Sequence, residues 1–185
     1  MTTDERPRPA SDGGSPHHIV VDGRRWRATD PSIPENLRAE LVAELMSARR
    51  AVGAATRAGD DQATTTARAR VQDAKVALGE RGHPWWEPAP PEALDRRIRS
   101  AIAALLAHRG PQRSICPSDA ARVVGGTSWR PAMEPVREAA RDLARRGEVR
   151  LTSGQRELDP DGEIRGPIRI RPITGGSVSG GRSSG

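Results

Sequence analysis

The sequence predicts a mainly helical α+β protein, assembled from small helical units rather than around one large core. Three observations carry that expectation. Leu, Ile and Val supply only 30 of the 185 residues, Phe and Tyr are absent, and alanine lifts the hydrophobic share to 35%. A Leu, Ile and Val share near one sixth lies below the roughly 20% at which disordered stretches become expected. Apolar residues recur at three- and four-residue spacing in several separate stretches, the period of an amphipathic helix. Finally, turn signals such as Asp22-Gly23 and Asp159-Pro160-Asp161-Gly162 sit beside short apolar-alternating runs that suit strands.

Residues 1–16 are Pro, Asp, Gly and Ser with almost nothing to bury, and residues 174–185 are mostly Gly and Ser. Both ends are expected to be disordered tails. A third break at residues 82–91 carries four prolines. The expected division is therefore a unit at 17–87, a Pro-rich linker at 88–93 and a unit at 94–173. Each is small enough for marginal stability alone, and 94–173 is expected to fold by itself.

In the first unit, Asp22-Gly23 tolerates the positive φ of a two-residue hairpin turn. Closing that turn pairs Val21 with Arg24 and Ile19 with Trp26, which puts Ile19, Val21 and Trp26 on one face. Ser32-Ile33-Pro34-Glu35 has the form of a capping box with proline at the start of a helix. Leu37, Leu41, Leu45, Ala48 and Val52 then form an apolar stripe. Gly59-Asp60 reads as a stop and restart, and Ala63, Ala67, Val71, Ala74 and Leu78 continue to Gly79. A β-hairpin leading into an antiparallel helical pair follows, closed by Trp85 and Trp86.

In the second unit, Leu94, Ile98, Ala101, Ile102 and Leu105 mark a first helix. Cys116-Pro117-Ser118-Asp119 starts a short helix ended by Gly125-Gly126, and a third helix is expected over residues 129–146. Two strands are expected at 149–152 and 167–171, joined through the Asp159–Gly162 turn. Helix, short helix, helix and two-stranded wing is the order of a winged helix-turn-helix.

Several motifs have a familiar look. Ile115-Cys116-Pro117-Ser118-Asp119-Ala120-Ala121-Arg122, then Trp129-Arg130-Pro131-Ala132-Met133, then Gly166-Pro167-Ile168-Arg169 resemble a small bacterial domain family of unknown function. That resemblance covers roughly residues 94–173 and implies a winged-helix-like fold. Upstream, Asp22-Gly23-Arg24-Arg25-Trp26-Arg27, the run from Glu44 to Arg50 and the run from Asp73 to Gly82 are similar to another short bacterial family. Its members often carry the label "biopolymer transporter Tol". No apolar run here approaches the ~18 residues of a membrane span, and residues 1–10 hold no hydrophobic signal core, so a cytoplasmic setting is expected.

Charge and candidate chemistry narrow the function. Lys+Arg exceed Asp+Glu by 6, and Lys75 is the only lysine. Most of the surplus falls in the C-terminal half, notably at Arg96, Arg97, Arg99, Arg109 and Arg113. Cys116 at a helix start could favour a thiolate, but a small packed residue is the stronger expectation. His17-His18 lacks the accompanying ligands of a metal site, and Gly125-Gly126-Thr127 lacks the lysine of a phosphate loop. No catalytic, cofactor or metal constellation stands out, and a non-enzymatic protein is expected.

The leading partner is DNA or another nucleic acid, held with low sequence specificity through Arg137, Arg141 and Arg145 on the third helix and Arg150, Arg156 and Arg165 on the wing. Glu134, Glu138 and Asp142 share that helix face and should discourage deep insertion. The alternative is a regulatory protein–protein adaptor, with Trp85, Trp86, Trp129 and Arg130 as anchors of the types enriched at interfaces. Tryptophans filling gaps in cores without Phe or Tyr explain the same residues.

Overall fold

The structure, a computed structural model, describes residues 17–164 and 166–173. The tails expected at 1–16 and 174–185 lie outside the described residues. Among the described residues, an N-terminal hairpin, five α-helices and a second, three-stranded sheet make an α+β fold.

Strands β1 (His18–Val21) and β2 (Arg24–Arg27) pair in the expected register, Val21 opposite Arg24 and Ile19 opposite Trp26. Asp22 at φ 49° and Gly23 at φ 71° supply the two positive φ angles of a tight hairpin turn. Helices α1 (Glu35–Ala58) and α2 (Asp61–Ala77) follow. Gly59 ends α1 in the left-handed conformation, and the Asp60 carboxylate accepts the Ala63 N–H at 2.8 Å to start α2.

The capping box expected at Ser32 does not form. Pro34 occupies the cap of α1, and the Ser32 hydroxyl instead donates to Asp30 Oδ1 at 2.7 Å. Ser32 lies two residues ahead of that cap position, out of place to accept the first helical N–H groups. The charged faces of the helical pair are not uniformly solvated. Glu44 is buried, and both its oxygens accept from Arg70 across the α1–α2 contact, at 2.7 and 3.0 Å.

Helix α3 spans Pro91–Arg109, so half of the expected 88–93 linker is already helical. Proline suits the first turn because the missing N–H has no partner there. Helix α4 (Pro117–Gly125) is as expected, but the third helix starts late. Two 3-10 turns, Gly126–Ser128 and Arg130–Ala132, precede α5 (Met133–Arg145). Gly126, at φ 53°, packs against the Ser32 loop so closely that a Cβ would stand 2.8 Å from the Ser32 carbonyl oxygen.

The expected two-stranded wing is a three-stranded antiparallel sheet. Its order is β4-β3-β5, with β3 (Val149–Ser153) between β4 (Arg156–Glu157) and β5 (Arg169–Pro172). The chain first reverses at Gly154-Gln155, where Gly154 takes φ 57°. The Asp159–Gly162 turn forms, closed by a Gly162 N–H to Asp159 carbonyl bond of 3.1 Å, but it lies within the longer β4–β5 connection. Ile115, between α3 and α4, bridges to Ile170 on the outer edge of β5.

Buried residues from both sides of the proline-rich break form one continuous cluster. Leu37, Leu41 and Leu78 join Ile98, Ile102 and Leu105 of α3, and these continue to Val123, Val136, Leu151 and Ile170. Helix α3 is the shared element, packing on α1 and α2 as well as α4 and α5. No helix among the described residues is long and apolar enough to cross a membrane.

Candidate nucleic-acid interface

The basic surplus read from the α3 region is largely consumed inside the fold. Arg97 Nη2 donates to Asp30 Oδ2 at 2.7 Å, and Arg99 pairs with Asp95 and Asp142 at 2.7 and 3.0 Å. Arg109 grips both oxygens of Glu40 at 2.7 and 3.0 Å and Asp119 at 2.8 Å. The bond to Glu40, and behind it that to Asp119, raises the Arg109 pKa further above its ordinary value. Of the five arginines counted there, Arg96 and Arg113 stay exposed.

On α5, Val136, Ala140 and Leu143 form the buried stripe, with Met133 half-buried at its start. Arg145 is held by three acids, Asp142 and Asp161 at 2.7 Å and Glu138 at 3.2 Å. The Asp142 carboxyl is correspondingly held below its usual range, first by the Arg99 hydrogen bond and then by that of Arg145. The C-terminal end of the α5 face is therefore a closed ion-pair network. Two other arginines of α5 stay outside it. Among the described residues, Arg141 is half-buried with no ion pair and Arg137 reaches only the Gly166 carbonyl, at 3.5 Å.

On the sheet, Arg150 lies 4.0 Å from Glu157, while Arg156 is exposed opposite Ser153. Arg165 lies outside the described residues. The turn between α4 and α5 holds the more compact basic feature. Trp129, half-buried, has Arg122 over its ring at 5.0 Å and Arg130 at 5.2 Å. Arg122 was not singled out from sequence, because it belongs to another helix and no spacing rule links it to Trp129.

Trp85 and Trp86 are turned to internal use. The Trp85 indole N–H donates to the Ala28 carbonyl at 3.0 Å, and the Trp86 ring stacks on His17 at 4.3 Å with Arg27 at 5.5 Å. Together they hold the start of the hairpin against the helical body. Cys116 sits half-buried at the cap of α4, where its backbone N–H donates to Asp119 Oδ2 at 3.1 Å. Among the described residues no group of three or more His, Cys, Asp or Glu side chains gathers as metal ligands.

The elements that carry these arginines coincide with a known sequence family. Residues 95–172 match the model of a family described as a protein of unknown function, DUF3253. The DUF3253 segment runs from the first turns of α3 through β5, so it contains α4, the Trp129 turn, α5 and the sheet. No curated protein matches the chain. The N-terminal resemblance to the family labelled biopolymer transporter Tol gains no support from these comparisons.

Proposed function

We propose that the chain is a non-enzymatic protein whose DUF3253 segment binds DNA or another nucleic acid, mainly by its backbone and with little sequence discrimination. The order α3, α4, α5 and antiparallel sheet, with Ile115 bridged to β5, is the order of a winged helix-turn-helix. This part of the reading rests on fold analogy. The observation that carries the rest is the Arg122–Trp129–Arg130 stack at the α4–α5 turn. Guanidinium groups around an aromatic ring at a helix-turn-helix corner suit phosphates and an unstacked base.

Arg145 is a poor phosphate ligand, since three carboxylates already hold it. The contact surface therefore centres on the α4–α5 turn and on Arg137 and Arg141 of α5, flanked by Arg150 and Arg156 of the sheet. The adaptor alternative loses ground at Trp85 and Trp86, whose rings are engaged within the chain.

A salt titration of duplex binding tests this, comparing the wild type with Arg122→Glu/Arg130→Glu and Arg137→Glu/Arg141→Glu. Affinity should fall steeply with salt, and each lost phosphate contact should flatten the log–log slope by about 0.9. Arg145→Gln should change the slope little. No binding at low salt discards the proposal, and tight, salt-tolerant binding to one sequence replaces backbone contact with base readout.

A further inference from the structure

Outside the DUF3253 segment, the hairpin and α1 enclose an open groove of 590 Å³. Ile19, Val21 and Trp26 line it from the hairpin and Val42 and Met46 from α1, and every one of them is more than a third exposed. Large apolar side chains concentrated on two facing elements mark an interaction surface, whereas scattered ones do not. The rim is mainly cationic. Arg24 and Arg49 are exposed there with no ion pair among the described residues. Lys75 lies beneath, 5.3 Å from the Trp26 ring centroid. Of the two acids at the groove, Glu80 is already occupied by the Thr29 hydroxyl at 3.0 Å and by Lys75 at 3.9 Å; the other, Asp22, sits in the hairpin turn.

We infer that this groove docks an acidic amphipathic segment of another protein, apolar side chains against Trp26 and Met46 and carboxylates against Arg24 and Arg49. The chain's own ends do not supply such an occupant. Residues 1–16 and 174–185 contain only Met1 and Val178 as large apolar side chains. A second copy docked face to face would bring Arg24, Arg49 and Lys75 against their own equivalents, an unfavourable juxtaposition of like charge. An acidic partner matches both the apolar floor and the basic rim. The inference is independent of nucleic-acid binding, since no residue is shared between the two surfaces.

The experiment uses the full chain and two synthetic helical peptides that share one leucine stripe. Glutamates flank the stripe in one peptide and lysines in the other, and fluorescence anisotropy reads binding. The acidic peptide should bind at least about tenfold more tightly at low salt. Arg24→Glu/Arg49→Glu should reverse that preference, and Met46→Asp should abolish binding of either peptide. Arg96→Glu/Arg113→Glu, which changes net charge equally but away from the groove, should leave the preference unchanged. Equal binding of the two peptides, no binding of either, or an equal effect of the remote reversal overturns the inference. Self-association abolished by Met46→Asp also overturns it, by making a second copy the occupant.

Discussion

Arg97 ties together four separate parts of the chain. Its guanidinium meets Asp30 at 2.7 Å, the Ala77 carbonyl at 3.3 Å and the Val123 carbonyl at 3.4 Å, so one side chain joins the α1 approach, the end of α2, α3 and α4. Removing only one charge leaves the other buried and unpaired. Asp30→Ala should therefore cost about 3–5 kcal/mol in urea unfolding, and Asp30→Leu/Arg97→Met should recover most of it. None of this was legible from sequence, because Asp30 lies 67 residues away from Arg97 and Glu40 lies 69 from Arg109. Arg97 and Arg109, counted locally as surplus, are matched by acids of the other half. Asp142 gives the pH dependence. Its folded pKa sits below the ordinary 3.8, so its ionised form stabilises the fold. That contribution is present above pH ~4 and lost as pH falls through the folded value. Asp142→Asn should flatten the acid limb of the urea midpoint plotted against pH, and an unaltered limb would show that the Arg99 and Arg145 contacts contribute nothing.

Local chemistry determined the elements best where a short signal determines the geometry. Asp22-Gly23 set the hairpin register, and Gly59-Asp60 set the break between α1 and α2. Where a second signal competed, the boundaries moved. Pro34 took the α1 cap in place of Ser32, and the Gly154-Gln155 reversal produced β4 ahead of the stronger-looking Asp159–Gly162 turn. The α4–α5 corner shows why a third helix starting at 129 was misread. Its periodicity runs through residues whose backbone is tightened into 3-10 turns. Gly126 is fixed there twice, by φ 53° and by contact with Ser32. Gly126→Ala should destabilise by about 1–3 kcal/mol, the scale of a strained left-handed residue. A calorimetric melt measures it, and an unchanged melting temperature would mean the Ser32 loop yields without cost.

At the scale of the molecule, the proline-rich break divides the sequence more sharply than it divides the core. Helix α3 offered one stripe in sequence, yet Ser100, Ala104 and Leu106 outside that stripe are also buried. Alanine and serine register weakly in a hydrophobic pattern, so a second packing face stayed hidden. Ser100 uses it to donate to Asp73 of α2 at 2.9 Å. A fragment of residues 91–173 would expose that face and strip Arg97 and Arg109 of Asp30 and Glu40. It should bind a hydrophobic dye and show collapsed amide dispersion; a dispersed spectrum with cooperative melting would instead establish a true domain boundary at the prolines. The lone lysine gives the whole chain a reporter of its own. Lys75 is 8% exposed on the buried end of α2, where the hairpin, α1 and the α3 junction converge. Cleavage by a lysine-specific protease can therefore produce only one pair of fragments, and its rate follows how often that convergence opens. An occupant of the groove should slow the cut, and nucleic acid bound at the α4–α5 corner should do so only as far as it stabilises the entire chain.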